Sequence, residues 1–464
     1  MDRPATVNIA DVVDNTRIGS FQIGLFVLCA ACLILDGFDV QATGYVSAAL
    51  TKDLGLTGAE FSWVASAGLV GVLVGALLFG WLGDRWGRRP VLVTATICFS
   101  LLTLLTGFAQ SLTQLVVIRV LAGIGLGGIM PNVVALVGEY SPKRSRAFLM
   151  MFISNGFNVG AVLGGFAARV LVPEYGWRAV FYFGGIVPIA IAAAMFVWLP
   201  ESLQFLALRR DRDADLRKWL TKIDPAVAAS SSTRYVTTEQ AQEGVPMRLL
   251  FEDGRGAGTL LLWVINFMNL VNLYFLSQWL PRIFFEIGFS QANAIWIGTT
   301  LQIGGAIGTL ILGWLILRVG YIRVLTASFA VGVVAVAAIG QRMSVEMLFA
   351  VVFIAGFTIV GGQAGLNALA ASFYPTDLRS TGVGYALGIG RIGGIVAQPA
   401  AGALVDHGWV ARQLLLAASI PAAVTVAGLV GMGKQLKARV GSMPAAPARA
   451  ADTDAATIRT GPNF

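Results

Sequence analysis

Charge is scarce in this chain. Of 464 residues, 33 are Lys or Arg and 25 are Asp or Glu, 12% together, about half the share of a soluble domain. There is one histidine, His407, and there are three cysteines. A single imidazole with no Cys/His cluster leaves little from which to build a metal centre or a nucleophile–base pair. An enzyme is therefore not expected, and no cofactor or metal is expected either. Cys29, Cys32 and Cys98 lie in apolar segments, an odd number that gives no disulfide framework. The polar stretch from Met1 to Ser20 lacks the basic region and cleavage site of a signal peptide, so the first apolar run is read as a retained helix.

Apolar residues dominate instead. They make up 56% of the chain, with mean hydropathy +0.75 and 55 glycines. A soluble domain and a nucleic-acid module are excluded by that balance. The net charge of +8 is expected to reflect basic loops beside a lipid bilayer, with no nucleic-acid partner. Six apolar stretches fall within 21–199, a polar stretch covers 200–258, and six more fall within 259–433. Each must be a helix, because no other lone segment satisfies its backbone in lipid. The predicted fold is an all-α membrane protein with twelve transmembrane helices in two six-helix halves. The segments 1–20 and 434–464 are read as tails, and 200–258 as a linker with short amphipathic helices. The tail is expected to be disordered, and His407 is expected in a surface loop.

Lys and Arg set the orientation. With the N-terminus inside, the short inner loops hold nine of them and the outer loops six, Arg282 among the latter. Both termini are therefore expected in the cytoplasm. After tails and linker are counted, only Arg119 and Arg391 are left inside the apolar segments, together with the acids Asp36 and Asp39. Ionisable groups in hydrocarbon are costly and usually functional.

The halves repeat. Gly80-Trp81, Arg85 and Gly87 recur 233 residues later as Gly313-Trp314, Arg318 and Gly320, and the same offset takes Pro142 to Pro375 and Arg146 to Arg379. One offset joining two separate loops implies a parallel repeat, the symmetry of a two-lobed transporter. It also maps Asp36 onto Asn269, Asp39 onto Asn272 and Asn158 onto Arg391, so polar positions of each half answer polar positions of the other.

The run Gly80-Trp81-Leu82-Gly83-Asp84-Arg85-Trp86-Gly87-Arg88-Arg89 between the second and third helices resembles the signature loop of the major facilitator superfamily. Gly80, Asp84, Arg85, Gly87, Arg88 and Arg89, with Glu139 and Arg146, are read as a conformational latch. Asp84 is expected at the positive N-terminal end of a facing helix, the eleventh near Ser380. Leu317 replaces that acid in the second copy. Arg119 opens Arg-Val-Leu-Ala-Gly-Ile-Gly, which is similar to the superfamily's helix-4 motif, associated with proton coupling. The run Gly156 to Gly165 departs from the antiporter motif in having Ala161 where a proline would stand, which weighs against an exporter.

Asp36-Gly37-Phe38-Asp39 in the first helix, with Pro200-Glu201-Ser202 and Asn266-Phe267-Met268-Asn269, resembles the aromatic acid:proton symporter family. That resemblance implies inward transport of a benzoate-like acid with a proton, usually across a bacterial inner membrane. It does not choose among benzoate, hydroxybenzoates, protocatechuate, hydroxyphenylpropionate and muconate, and a drug exporter is the nearest rival. A monomer is expected.

Asp36 and Asp39 lie three apart and share a helix face. Arg119 sits about seven residues down the fourth helix, at a depth roughly matching theirs. Arg119 is expected to pair with one of the two acids while the pair carries the coupling proton; the bland reading is a permanent ionic brace between helices. Arg391 lies near the midplane with no acid at its depth. Its planar fork suits a carboxylate, although backbone carbonyls or Asp36 could also hold it. Phe38 is a candidate ring contact. Asn158, Asn269, Asn272 and Gln302 are candidate partners of ring hydroxyls, or else glue between helices.

Overall fold

The computed structural model describes residues 6–209, 212–224, 234–236 and 247–442. Twelve long helices dominate it: α1 Ser20–Leu54, α2 Gly58–Trp86, α3 Arg88–Thr106, α4 Leu112–Tyr140, α5 Arg146–Tyr175, α6 Arg178–Trp198, α7 Gly256–Glu286, α8 Gln291–Val319, α9 Tyr321–Ile339, α10 Val345–Phe373, α11 Thr376–Asp406 and α12 Ala411–Ser442. At 1.5 Å per residue, α1 is about 50 Å long and overruns a hydrocarbon core of about 30 Å at its ends. It extends well past the apolar run that ends near 46, because polar residues after the run continue the helix to Gly55, whose left-handed backbone (φ 63°) stops it. Leu77, Phe148, Val170, Phe196 and Val334 point outward and exposed, as helices facing lipid require.

Two departures from the expected organisation are small. Thr6–Asn8 and Arg234–Val236 form a two-stranded parallel pair. Helix α12 continues to Ser442, beyond the start of the expected tail at 434. The expected disordered tail and the serine run 230–232 of the linker otherwise lie outside the described residues. The linker does contain an amphipathic helix, Asp213–Ile223, which buries Leu216, Trp219 and Leu220. The N-terminal segment is more than a polar tail: Ile9–Asn15 is a helix, and its Ile9, Val12 and Val13 join the same apolar cluster.

The internal repeat is visible in the backbone. Gly87 and Gly320, 233 residues apart, both have positive φ (103° and 96°), and each is followed by a 19-residue helix. Only glycine adopts such angles without strain, so the repeat preserves a turn.

By compactness the chain forms two units. The first comprises Met1–Glu243, Tyr274–Ile303 and Gly394–Leu414; the second comprises Gly244–Leu273, Gly304–Gly393 and Leu415–Phe464. The first unit thus holds the N-terminal six helices together with the last part of α7, the first part of α8, the last part of α11 and the start of α12. The contacts within it explain why. Gln278 donates to the Val40 carbonyl (2.9 Å). Asp406, at the end of α11, accepts from the Gly58 and Ala59 amides (2.9 and 3.0 Å), the free donors at the start of α2. Arg282 lies 5.5 Å from the centre of the Phe61 ring.

Candidate proton and substrate sites

In the first unit, glycines decide where the charges meet. Gly37, between Asp36 and Asp39, faces α5 so closely that a Cβ there would overlap the Phe157 carbonyl. Gly160 likewise admits Ile34. On the other side, Gly71 and Gly75 of α2 abut Val120, Gly123 and Ile124 of α4. Small residues let membrane helices approach backbone to backbone, and this approach carries Arg119 to α1.

The result is a fully buried ion pair. Arg119 Nη2 lies 2.9 Å from Asp39 Oδ2, and Arg119 Nη1 donates to Asp39 Oδ1 at 3.2 Å. Arg119 Nη2 also reaches the Asp39 carbonyl at 3.4 Å. Thr103, on α3, donates to Asp39 Oδ1 at 2.6 Å. The guanidinium lies 5.6 Å from the centre of the Phe181 ring. The expected pairing of Arg119 with one acid therefore falls on Asp39. Asp36, one turn earlier, is buried as well and has interactions of its own. Thr103 was not legible in the sequence, because one threonine in an apolar run carries no signal.

The other candidates in this unit are scattered. Asn158 donates to Asn155 Oδ1 (2.9 Å), where α5 is interrupted. Gln302 donates to Ser277 Oγ (3.0 Å). Phe38 is packed against Phe183 and covers Gly164 and Gly184, so its ring fills space between helices. Arg282, expected in an outer loop, is instead a buried residue within α7. It lies 5.4 Å from the centre of the Trp279 ring, bonds Glu286 (2.7 Å), and leaves Nη1 unpaired. Its aromatic neighbours let the helix continue four residues past a charge.

The termini-side cluster of the first unit brings most of the latch residues together. Glu201 Oε1 accepts from the Arg88, Arg89 and Ser202 amides (2.7, 3.1 and 2.8 Å), so an acid caps the start of α3. Any side chain at Gly87 would collide with it. Arg88 pairs with Glu139 (3.2 Å), which also accepts from Ser202 Oγ (2.6 Å). Arg89 donates to the Phe196 carbonyl (2.5 Å), and Arg85 stacks on Trp81. Arg146 pairs with Asp14 and donates to the Ser141 carbonyl. Asp84 is exposed, with Arg88 at 3.6 Å, and Gly80 stands in open space. Glu201 and Asp14 are the members that spacing alone did not identify.

The second unit has a different character. Helix α10 contains a π-helical turn, Gly356–Val360, a feature common at functional sites. Asn269 donates to Gln363 Oε1 (2.7 Å) and to the Ile359 carbonyl of that turn (3.4 Å). Gln363 donates in turn to Asn266 and Asn367 (3.1 and 2.8 Å). This amide ladder leaves Asn269 Oδ1 unpaired, and fully buried Asn272 has neither amide atom bonded. Arg391 is half-buried on α11, next to the point where Gly390 abuts α7 at Asn266 and Leu270. Among the described residues it has no hydrogen bond or ion pair.

A family model described as Major Facilitator Superfamily matches residues 29–240 and 262–452. The chain belongs to the major facilitator superfamily. Its superfamily relatives include the gallate transporter of Pseudomonas putida, 38% identical over 96% of this chain and 98% of that protein. The 4-hydroxybenzoate transporter PcaK of Pseudomonas putida is 36% identical over 92% and 96%. The benzoate transport protein of Acinetobacter baylyi is 31% identical over 90% and 91%. Among solved structures, a D-xylose-proton symporter superposes with TM-score 0.70 at 15% identity, covering 89% of this chain and 98% of that one. A bacterial homologue of the human lysosomal transporter Spinster gives 0.70 at 17%, covering 91% and 99%. These structures share the fold. The twelve-helix, multi-pass membrane architecture expected from the sequence is that of a transporter superfamily, and no enzyme is among these relatives.

Proposed function

We propose that this chain imports a small aromatic carboxylate together with a proton, by alternating access, across a bacterial inner membrane with both termini in the cytoplasm. The observation that carries the reading is Arg391: a half-buried cation of the second unit with no anion beside it among the described residues. A cation at such a depth calls for a counter-charge, and a carboxylate fits its two-pronged donor. The gallate, 4-hydroxybenzoate and benzoate transporters to which the chain is similar all handle benzoate-type acids.

Asp39 is the proposed proton carrier. Its oxygens accept from Arg119 and Thr103, and neutralising them would loosen the hold of Arg119 on α1. Asn269 and Asn272 are the proposed partners of ring substituents, with Asn158 and Gln302 as secondary polar contacts. Phe38 serves packing in this account. Glu139, Glu201 and the arginines Arg88, Arg89 and Arg146 form the termini-side latch, and exposed Asp84 is its movable acid. The working species is a monomer.

Uptake of labelled aryl acids into proteoliposomes under an imposed pH gradient, acid outside, tests the reading. Accumulation of a hydroxybenzoate above equilibrium, collapsed by a protonophore, is expected. Accumulation that ignores the gradient, or a preference for uncharged drugs or muconate over every aryl acid, would overturn it.

A further inference from the structure

Helix α3 carries four buried hydroxyls on one stripe: Thr96, Ser100, Thr103 and Thr106. Serine and threonine inside a helix ordinarily donate back to the carbonyl four residues earlier. Ser100 does so to Thr96, and Thr106 to Leu102, while Thr96 points instead at the Met195 sulfur. Thr103 does not. It turns away from its own helix and donates to Asp39 Oδ1 at 2.6 Å, the shortest contact that carboxylate makes.

The partners of Asp39 differ in one chemical respect. Arginine has donors and no acceptor, whereas a hydroxyl has both. A protonated Asp39 facing Arg119 alone would have no acceptor for its new O–H. Burying an unsatisfied donor is costly, so a shell of donors only would strand the new O–H. Thr103 alone can reverse. Oδ1 is also the oxygen less tightly held by Arg119, at 3.2 Å against 2.9 Å for Oδ2.

We propose that Thr103 is a positioning residue for proton coupling, whose hydroxyl reverses its hydrogen bond as Asp39 gains and loses the coupling proton. The inference rests on Asp39 being the carrier. In the ionised state the Thr103 O–H donates to Asp39 Oδ1. When a proton from solution binds Oδ1, the new Asp39 O–H donates to Thr103 Oγ1, and the Thr103 hydrogen swings to the Phe99 carbonyl four residues back on α3. No bond other than the O–H on Oδ1 is made or broken, and release reverses each move. Thr103 thereby lets the carboxylate change charge without stranding a donor in the bilayer.

Few other charges bear on this exchange. Among the described residues Arg119 is the one charge in contact with Asp39, and Phe181 of α6 lies against the guanidinium. On α1 itself, Asp36 and Cys32 lie one and two turns earlier. The charged residues of α3, Arg88 and Arg89, sit in its first turn, tied to Glu139, Glu201 and Phe196. On α6, Arg178 is at the far end with Asp53. Helix α2 faces Arg119 with Gly68. On α5, Asn155 and Asn158 bond each other and are neutral.

The test is the pH profile of gradient-driven hydroxybenzoate uptake by full-length protein in proteoliposomes, for wild type, Thr103→Val and Thr103→Ser. Valine keeps the shape and removes the hydroxyl; serine keeps the hydroxyl. A charge-assisted bond is stronger than the neutral one that replaces it, so losing both favours the neutral acid on balance. The Thr103→Val profile should move to higher pH by roughly one unit, and Thr103→Ser should stay with wild type. If the valine protein does not fold, Thr103→Ala gives the same comparison. An unshifted profile in Val or Ala, or an equal shift in Ser, would overturn the proposal, since packing alone would then explain the position. Asp39→Asn separates this from the reading beneath it. Full gradient-driven accumulation in that variant removes Asp39 as carrier. A dead Asp39→Asn beside an unshifted Thr103→Val removes only the role of Thr103.

Discussion

The polar centres of the two units are built on opposite plans. In the first, both oxygens of Asp39 have donors, and Arg119 is held by the acid and by Phe181. In the second, Arg391 has no hydrogen bond or ion pair among the described residues, and Asn272 has two bare amide atoms. The offset of 233 makes Asn272 the counterpart of Asp39, so one repeat position is saturated in one copy and empty in the other. A site that keeps its proton within the protein can be complete by itself. A site that awaits a ligand must be left incomplete, and the protein carries that cost until the ligand arrives. In the proposed reading, proton and substrate therefore belong to different units.

The sharpest way to break this division is Asp39→Asn. It removes the charge but keeps the shape, so gradient-driven accumulation should vanish. Removing one partner of a buried pair also costs about 3–5 kcal/mol, and thermal unfolding of the purified variant should drop accordingly. Accumulation at wild-type level would mean that the saturated centre is only a brace.

Next in size is Arg391. Arg391→Lys keeps the charge and loses the fork, and should weaken binding of a benzoate-type acid by about 1–3 kcal/mol while still preferring the acid to its amide. Arg391→Ala should lose that preference and most binding. An intact acid-over-amide preference in well-folded Arg391→Ala would show that the carboxylate is bound elsewhere.

Asn272→Leu sharpens the idea that incompleteness has a cost. Replacing an unpaired buried amide by an apolar group of similar size should stabilise the protein by about 1–3 kcal/mol. It should also weaken binding of a hydroxylated ring while leaving unsubstituted benzoate nearly unchanged. A loss of stability would mean that the amide is paired after all.

The smallest effect is expected at Asp406, whose carboxylate caps α2 within the first unit. Asp406→Asn should cost about 0.3–1 kcal/mol in unfolding experiments, less in high salt. A loss as large as that of Asp39→Asn would make this cap a principal tie.

Much of this was legible because hydrocarbon is an unforgiving solvent. Twelve apolar runs had to be helices, and four ionisable residues stood out because so few are tolerated there. The shared offset exposed the repeat, and matching depth brought Arg119 to α1. Three things stayed hidden for physical reasons. Which aspartate meets Arg119 depends on helix rotation, fixed by Gly37 and Gly160 against α5, and spacing along one helix does not encode it. Arg282 looked like a loop residue because a charge usually ends an apolar run, whereas Phe61 and Trp279 cover it. Thr103 meets Asp39, and Glu201, although part of the Pro200-Glu201-Ser202 run, caps α3 from a distant segment, and no periodicity reports such contacts.

The most direct test of the division between units is the number of protons taken up when an aryl acid binds. It is read by calorimetry of purified protein near neutral pH in two buffers of different ionisation enthalpy. Wild type should take up protons on binding hydroxybenzoate. Arg391→Lys should bind more weakly with the same uptake per acid bound, and Asp39→Asn should still bind while taking up none. Proton uptake that persists in Asp39→Asn, or that disappears in Arg391→Lys, would contradict the assignment of proton and substrate to separate units.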